Sequence, residues 1–67
     1  MVYQDGMIVE IGDRIETNDM PDEYEPEEAI VAKIGKIKLQ AELTNENIKN
    51  RKIWLKPDDC ELIARSM

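Results

Sequence analysis

Residues 29–43, AIVAKIGKIKLQAEL, decide the predicted fold of this 67-residue chain. Apolar residues recur at every second position up to Ile34, and from Ile37 onward they recur on the opposite parity. Successive side chains of a strand point to opposite faces, so a change of parity indicates that the chain turns back on itself. The change falls at Gly35-Lys36, and glycine in the first loop position suits a type II′ turn. The segment therefore predicts a β-hairpin with a two-residue loop.

The predicted register places Ile34 opposite Ile37. Six apolar residues then share one face: Ile30, Ala32, Ile34, Ile37, Leu39 and Ala41. The same register places Lys33 opposite Lys38 on the outer face, where like charges are mildly unfavourable. An acidic loop, an anionic ligand, or water and salt would each relieve that repulsion.

The segments around this hairpin predict three more strands. Residues 7–16 indicate one strand that a bend at Gly12 interrupts, and residues 53–64 indicate two strands joined by a 3₁₀ turn after Pro57. Between them, residues 17–28 predict a long acidic loop, and residues 44–52 predict a polar loop with one helical turn and Ile48 directed inward. The predicted fold class is all-β, with five short strands.

This pattern resembles the SH3-like small β-barrel superfamily, including its KOW and Tudor-like members. The residues that carry the resemblance are 11–15, 29–34 and 54–63, where a strand, Pro57, a turn and a last strand follow one another. The resemblance implies one closed five-stranded barrel that spans residues 1–67. KOW segments usually have a glycine where Ala29 stands here.

A short chain buries little surface, so most of its apolar residues are needed in the core. The predicted core is aliphatic: Val9, Ile11, Ile15, Ile30, Ile34, Ile37, Leu39, Leu43, Ile53, Leu55, Leu62 and Ile63. Cys60, the single cysteine, is predicted to be a small buried apolar residue. Such a core is marginal, and a homodimer would support it.

Charge divides the chain into segments. The net charge is −6, and residues 1–28 contain ten carboxylates against Arg14, whereas residues 29–57 contain seven basic residues against Glu42 and Glu46. The chain has no histidine and no phosphate-binding or paired-cysteine motif, so we expect a non-enzymatic protein without a cofactor. Without a calcium-loop spacing we predict no metal site. The absence of a signal peptide or apolar span predicts a cytoplasmic protein without membrane attachment.

The leading hypothesis is a small protein-interaction module, an accessory or inhibitor protein that acts on a host or cellular partner or binds a second copy of itself. The predicted contact residues combine aromatic anchors, acidic neighbours and an outward apolar residue: Tyr24, Glu23, Glu25, Glu27, Trp54 and Val31. Tyr24 lies between two prolines, which reduce the entropy lost on binding. Trp54 alternates with Ile53 and Leu55, so it faces outward if they face inward.

Two other hypotheses stay open. The KOW resemblance implies that a basic hairpin binds RNA or another anionic ligand, and the residues are Lys33, Lys36, Lys38, Lys49, Arg51 and Lys52. The acidic remainder of the chain argues against that reading because phosphate binding needs a basic field. Alternatively, the acidic loop mimics nucleic acid and occupies a basic groove on a target enzyme.

Overall fold

The computed structural model describes residues 1–17 and 27–65, which form one antiparallel sheet. The elements in chain order are β1 Arg14–Thr17, β2 Glu27–Ile34, β3 Leu39–Leu43, β4 Lys52–Leu55, a 3₁₀ turn Pro57–Asp59 and β5 Cys60–Ala64. The strands lie in the order β4-β3-β2-β1-β5. The predicted all-β class, the five strands and the 3₁₀ turn are confirmed. No helix in these residues is long and apolar enough to cross a membrane.

The sheet is not closed into a barrel, so the predicted closure is wrong. Strand β4 pairs with β3, and β5 pairs with β1, which leaves β4 and β5 as edge strands within the described residues.

The N-terminal nine residues lie outside the sheet. They form a small hairpin with a Val2–Ile8 bridge, whose turn ends at Gly6 with φ of +87°. The Gly6 amide donates to the Tyr3 carbonyl at 2.9 Å, as in a type I turn followed by a left-handed glycine.

The central hairpin is confirmed, but its predicted register is wrong. The Gly35 amide donates to the Lys38 carbonyl at 2.9 Å, which places the loop at Lys36-Ile37. Ile34 therefore faces Leu39, not Ile37. The predicted Lys33–Lys38 repulsion is also wrong, because Gln40 lies opposite Lys33.

A bulge reverses the faces in the first half of β2. The register shifts between Val31 and Lys33, so Ala32 is the extra residue. Ala29 and Val31 are consequently buried, and Ile30 is only half-buried. Val31 was predicted to face outward, and that prediction is wrong.

The core lies under the inner face of the sheet. Its buried apolar residues are Tyr3, Val9, Ile15, Ala29, Val31, Leu39, Ala41, Leu43, Leu55 and Cys60, with Ile48, Ile53 and Leu62 packed against them. Burial of Cys60 and the inward position of Ile48 are confirmed. Four predicted core residues are exposed instead: Ile11, Ile34, Ile37 and Ile63.

Each of these exposed isoleucines has a local cause. Ile11 stands in the turn before Gly12, Ile37 lies in the hairpin loop and Ile34 ends its strand. Ile63 is the residue skipped where the β1–β5 register shifts.

The predicted helical turn in the 44–52 loop is also wrong. There Asn45 Oδ1 accepts the Asn47 amide at 3.0 Å, which closes a local turn.

Candidate functional site

The best candidate site is the outer face of β3 and β4 around Trp54. Leu55 is buried, and alternation along β4 places Lys52 and Trp54 on the opposite, outer side of the sheet. Half of Trp54 is exposed (50%). Gln40 lies opposite Trp54, and Lys33 lies opposite Gln40, so the three share this face. We refer to Lys33, Gln40, Lys52, Trp54 and Lys56 as the Trp54 face.

Gly35 explains how the indole ring is placed. A Cβ atom at Gly35 would lie 2.8 Å from the Lys38 carbonyl oxygen and 3.4 Å from Trp54 Cζ3. The ring therefore lies close to the backbone of the β2–β3 turn, where a side chain would crowd it. Because Gly35 has no side chain, β4 and the β2–β3 turn form one continuous surface.

The Trp54 face is basic in a chain that is acidic overall. Lys33, Lys36, Lys38, Lys52 and Lys56 are all exposed. Within residues 1–17 and 27–65, the ion pairs involve Arg14 and Arg65, so none of these lysines has a carboxylate within 4 Å there, and the carboxylate that shares their part of the sheet is Glu42, opposite Lys52. An indole ring among ammonium groups that form no ion pair within the described residues suits a partner that carries both apolar and anionic groups.

The six residues predicted to bind anions divide into two groups. Lys33, Lys36 and Lys38 lie at the turn end of the β2–β3 hairpin. Lys49, Arg51 and Lys52 line an open depression of about 370 Å³ together with Glu42 and Asn50. Lys52 belongs both to the depression and to the Trp54 face, because it stands two residues before Trp54 on the same side of β4.

The residues predicted to contact a protein partner are not brought together within the described part of the chain. Val31 is in the core, whereas Trp54 is on the surface. Glu27 begins β2 and accepts a hydrogen bond from Asn45 Nδ2 at 3.1 Å. Glu23, Tyr24 and Glu25 lie outside the described residues.

A buried polar network beneath the N-terminal hairpin was not predicted from the sequence. Tyr3 Oη donates to Asp13 Oδ2 at 2.6 Å, and Arg65 Nε donates to Asp13 Oδ1 at 3.0 Å. The Glu10 amide also donates to Asp13 Oδ2, at 2.9 Å. Tyr3 and Asp13 are almost fully buried. The signal that could have placed Tyr3 inside is the Asp5-Gly6 turn between two apolar stretches.

Burial and hydrogen bonding shift the pKa of these groups in opposite directions. Burial is the main cause that raises the pKa of Tyr3, and the hydrogen bond to the Asp13 carboxylate adds to it. Burial also acts to raise the pKa of Asp13, but hydrogen bonds from Arg65, Tyr3 and the Glu10 amide outweigh it, and the pKa of Asp13 is lowered.

The hydrogen bonds of this network indicate a structural role. No buried side-chain nitrogen or oxygen in the described residues lacks a hydrogen-bond partner. Asp13 is held as a carboxylate and Tyr3 as a phenol, so neither is poised to exchange a proton near neutral pH. The exposed Trp54 face is therefore the better candidate for function. Comparisons of the chain with protein-family models, curated proteins and solved structures give no match.

Proposed function

We propose that this chain is a small non-enzymatic protein-interaction module that binds its partner through the Trp54 face. The observation that carries the proposal is the half-exposed indole of Trp54, the sole tryptophan, among lysines that form no ion pair within 4 Å in the described residues. Tryptophan is enriched among residues that dominate binding energy, because it buries a large rigid surface at little entropic expense. Lysines around such an anchor favour partners of opposite charge and speed association.

We further propose that the module is an open relative of the SH3-like superfamily. The strand order β4-β3-β2-β1-β5 and the 3₁₀ turn between β4 and β5 support this relationship. Fold likeness alone does not assign an activity, so the functional proposal is based on the Trp54 face.

Capture from a nuclease-treated native lysate tests the proposed function. The bait proteins are the wild type, Trp54→Ala and Ile63→Ala, the last being a control because Ile63 is comparably exposed (45%) but lies on β5. We expect the wild type and Ile63→Ala to retain the same protein, and Trp54→Ala to lose it. Equal retention by all three baits would contradict the proposal.

Nucleic-acid binding is the second candidate, and the grouping of Lys49, Arg51 and Lys52 at one depression favours it. An indole ring beside cationic groups also suits stacking on unpaired bases. Titration with single- and double-stranded oligonucleotides at low salt separates the candidates. Affinity that falls steeply with salt would favour nucleic acid, and no binding at about 50 mM salt would remove it.

A further inference from the structure

The outer edge of β4 is open within the described residues. Strand β4 stands at the end of the sheet and pairs with β3 alone. An unpaired edge presents a row of backbone donors and acceptors that another strand can use.

The hydrogen-bond pattern identifies which groups face this open edge. The Leu43 amide donates to the Arg51 carbonyl at 2.7 Å, so these two residues form a hydrogen-bonded pair. Such pairs alternate along an antiparallel ladder, which directs the backbone groups of Ile53 and Leu55 toward β3. The amides and carbonyls of Lys52 and Trp54 consequently point away from β3, toward the open edge.

The same two residues carry the outward side chains of the edge. Lys52 and Trp54 are followed by Lys56, whose extended backbone (φ −76°, ψ 133°) continues the alternation. Cation, indole and cation thus stand at successive outward positions, spaced by about 6.6 to 6.8 Å from the rise of a strand. The edge ends there, because the Lys56 carbonyl accepts the Asp59 amide at 3.0 Å.

We infer that an extended acidic segment of the partner adds to the β4 edge as a sixth strand. This inference builds on the proposed function and specifies the partner's chemistry: an acid, an apolar residue and an acid at alternate positions. The acids would lie beside Lys52 and Lys56, and the apolar residue would lie beside Trp54. Backbone hydrogen bonds would supply affinity, and the alternate side chains would supply specificity.

The lysines also determine which strands the edge accepts. Lysine on an edge strand opposes pairing with another basic strand, including the β4 edge of a second copy. An acidic strand meets the opposite condition, because its carboxylates face ammonium groups that form no ion pair within 4 Å in the described residues. Lys52 has Glu42 opposite it on β3, so Lys56 is the cation of this edge without a carboxylate in its cross-strand register. The edge therefore discriminates by charge while it binds by backbone.

Fluorescence anisotropy of a labelled peptide tests the inference. The peptide carries glutamate, tyrosine and glutamate at alternate positions, with threonine between them. One control peptide has lysine in place of glutamate, and another is N-methylated at the glutamates and the tyrosine. We expect both controls to bind at least about tenfold more weakly, because the first loses charge complementarity and the second loses backbone donors.

Protein variants complete the design. We expect Trp54→Ala to weaken peptide binding at least about tenfold and Lys52→Glu to weaken it several-fold. Arg14→Glu makes the same charge reversal on β1, on the same side of the sheet as Lys52 but three strands away, and should change binding less than about twofold. Circular dichroism confirms that each variant is folded.

Three results would overturn the inference. Equal binding of the N-methylated peptide would exclude strand addition. Competition by an oligonucleotide with the same dependence on Trp54 would assign the edge to nucleic acid. Self-association that Trp54→Ala abolishes would assign it to a second copy. The first result leaves the proposed function standing, because Trp54-dependent capture of a protein is a separate measurement.

Discussion

At the scale of single residues, Asp13 has the most demanding position in the molecule. Its carboxylate is buried and accepts hydrogen bonds from Tyr3, the Glu10 amide and Arg65. A buried carboxylate is tolerable only when such donors replace water. Asp13 therefore stabilises the fold while its hydrogen-bond donors are present and destabilises it when one of them is removed.

We predict that Asp13→Asn lowers the free energy of unfolding by about 2 to 3 kcal/mol. The neutral amide pairs less well with Arg65, and its NH₂ group, itself a donor, would face donors from which the carboxylate accepts hydrogen bonds. Arg65 is one third exposed (34%), so water compensates part of the loss. Urea denaturation measures the change. Glu46→Gln, at an exposed loop position, is the control and should be neutral, and equal stabilities of Asp13→Asn and the wild type would refute the prediction.

The shifted pKa values predict how stability depends on pH. Because the pKa of Asp13 is lowered in the folded state, its stabilisation is present above about pH 4 and is lost as the pH falls through the folded pKa. Because the pKa of Tyr3 is raised, its stabilisation is present below about pH 10 and is lost as the pH rises above that.

Tyr3→Phe tests the alkaline half of this pattern. The wild type should lose stability above about pH 10, and Tyr3→Phe should lose less, since phenylalanine does not ionise. Thermal melts between pH 8 and pH 11 measure the difference between the two proteins. Parallel curves across that range would show that Tyr3 is not the group responsible.

At the scale of elements, the central hairpin shows what the sequence could and could not predict. The change of parity predicted the hairpin, because alternation is a property of each strand alone, but it placed the loop one residue early, at Gly35-Lys36 instead of Lys36-Ile37. The bulge at Ala32 was not readable, because an extra residue is recognised only against the partner strand. Val31 was therefore assigned to the wrong face, whereas Lys33 was assigned the wrong neighbour because the loop lies one residue later than predicted.

The same distinction applies to the candidate site. Alternation with Leu55 predicted that Trp54 could face outward, and the structure places it there. The proximity of its ring to Gly35 depends on tertiary geometry, as do the contacts of Asp13 with Arg65, which lies 52 residues away. Local patterns contain no information about such contacts, so the network under the N-terminal hairpin was missed.

We predict that Gly35→Ala destabilises the hairpin by about 1 to 3 kcal/mol. The new Cβ would lie 2.8 Å from the Lys38 carbonyl oxygen, closer than real Cβ contacts, so the turn that the indole ring contacts would have to shift. Near-UV circular dichroism, to which Trp54 contributes strongly, should change even where the protein remains folded. Gly6→Ala is an informative comparison, since no atom lies within 4 Å of a Cβ there and its strain is purely conformational (φ +87°). An unchanged near-UV spectrum for Gly35→Ala would contradict the proposed ring placement.

At the scale of the whole molecule, the open sheet makes the contacts between Arg65 and the N-terminal hairpin important for the fold. Arg65 follows β5 and reaches the N-terminal hairpin, where its Nη2 donates to the Ile8 carbonyl at 2.6 Å and its Nε lies 2.7 Å from Glu10 Oε2. Strand pairing and the packing of Cys60 and Leu62 in the core hold β5 to β1. The N-terminal hairpin, with its single bridge, is held over the core by the buried side chains of Tyr3 and Val9 and by Arg65.

We predict that Arg65→Lys loosens the N-terminal hairpin without unfolding the sheet. Lysine keeps the charge but loses the planar fork that contacts Ile8, Glu10 and Asp13 together. Hydrogen exchange should accelerate at the Tyr3 and Val9 amides, which donate to Met7 and Met1 within this hairpin. Exchange in β3 should stay close to that of the wild type, because its partners β2 and β4 do not depend on Arg65. A uniform acceleration across the hairpin and β3 would mean that Arg65 stabilises the fold globally. Unchanged exchange at both amides would mean that burial of Tyr3 and Val9 holds the hairpin in place without Arg65.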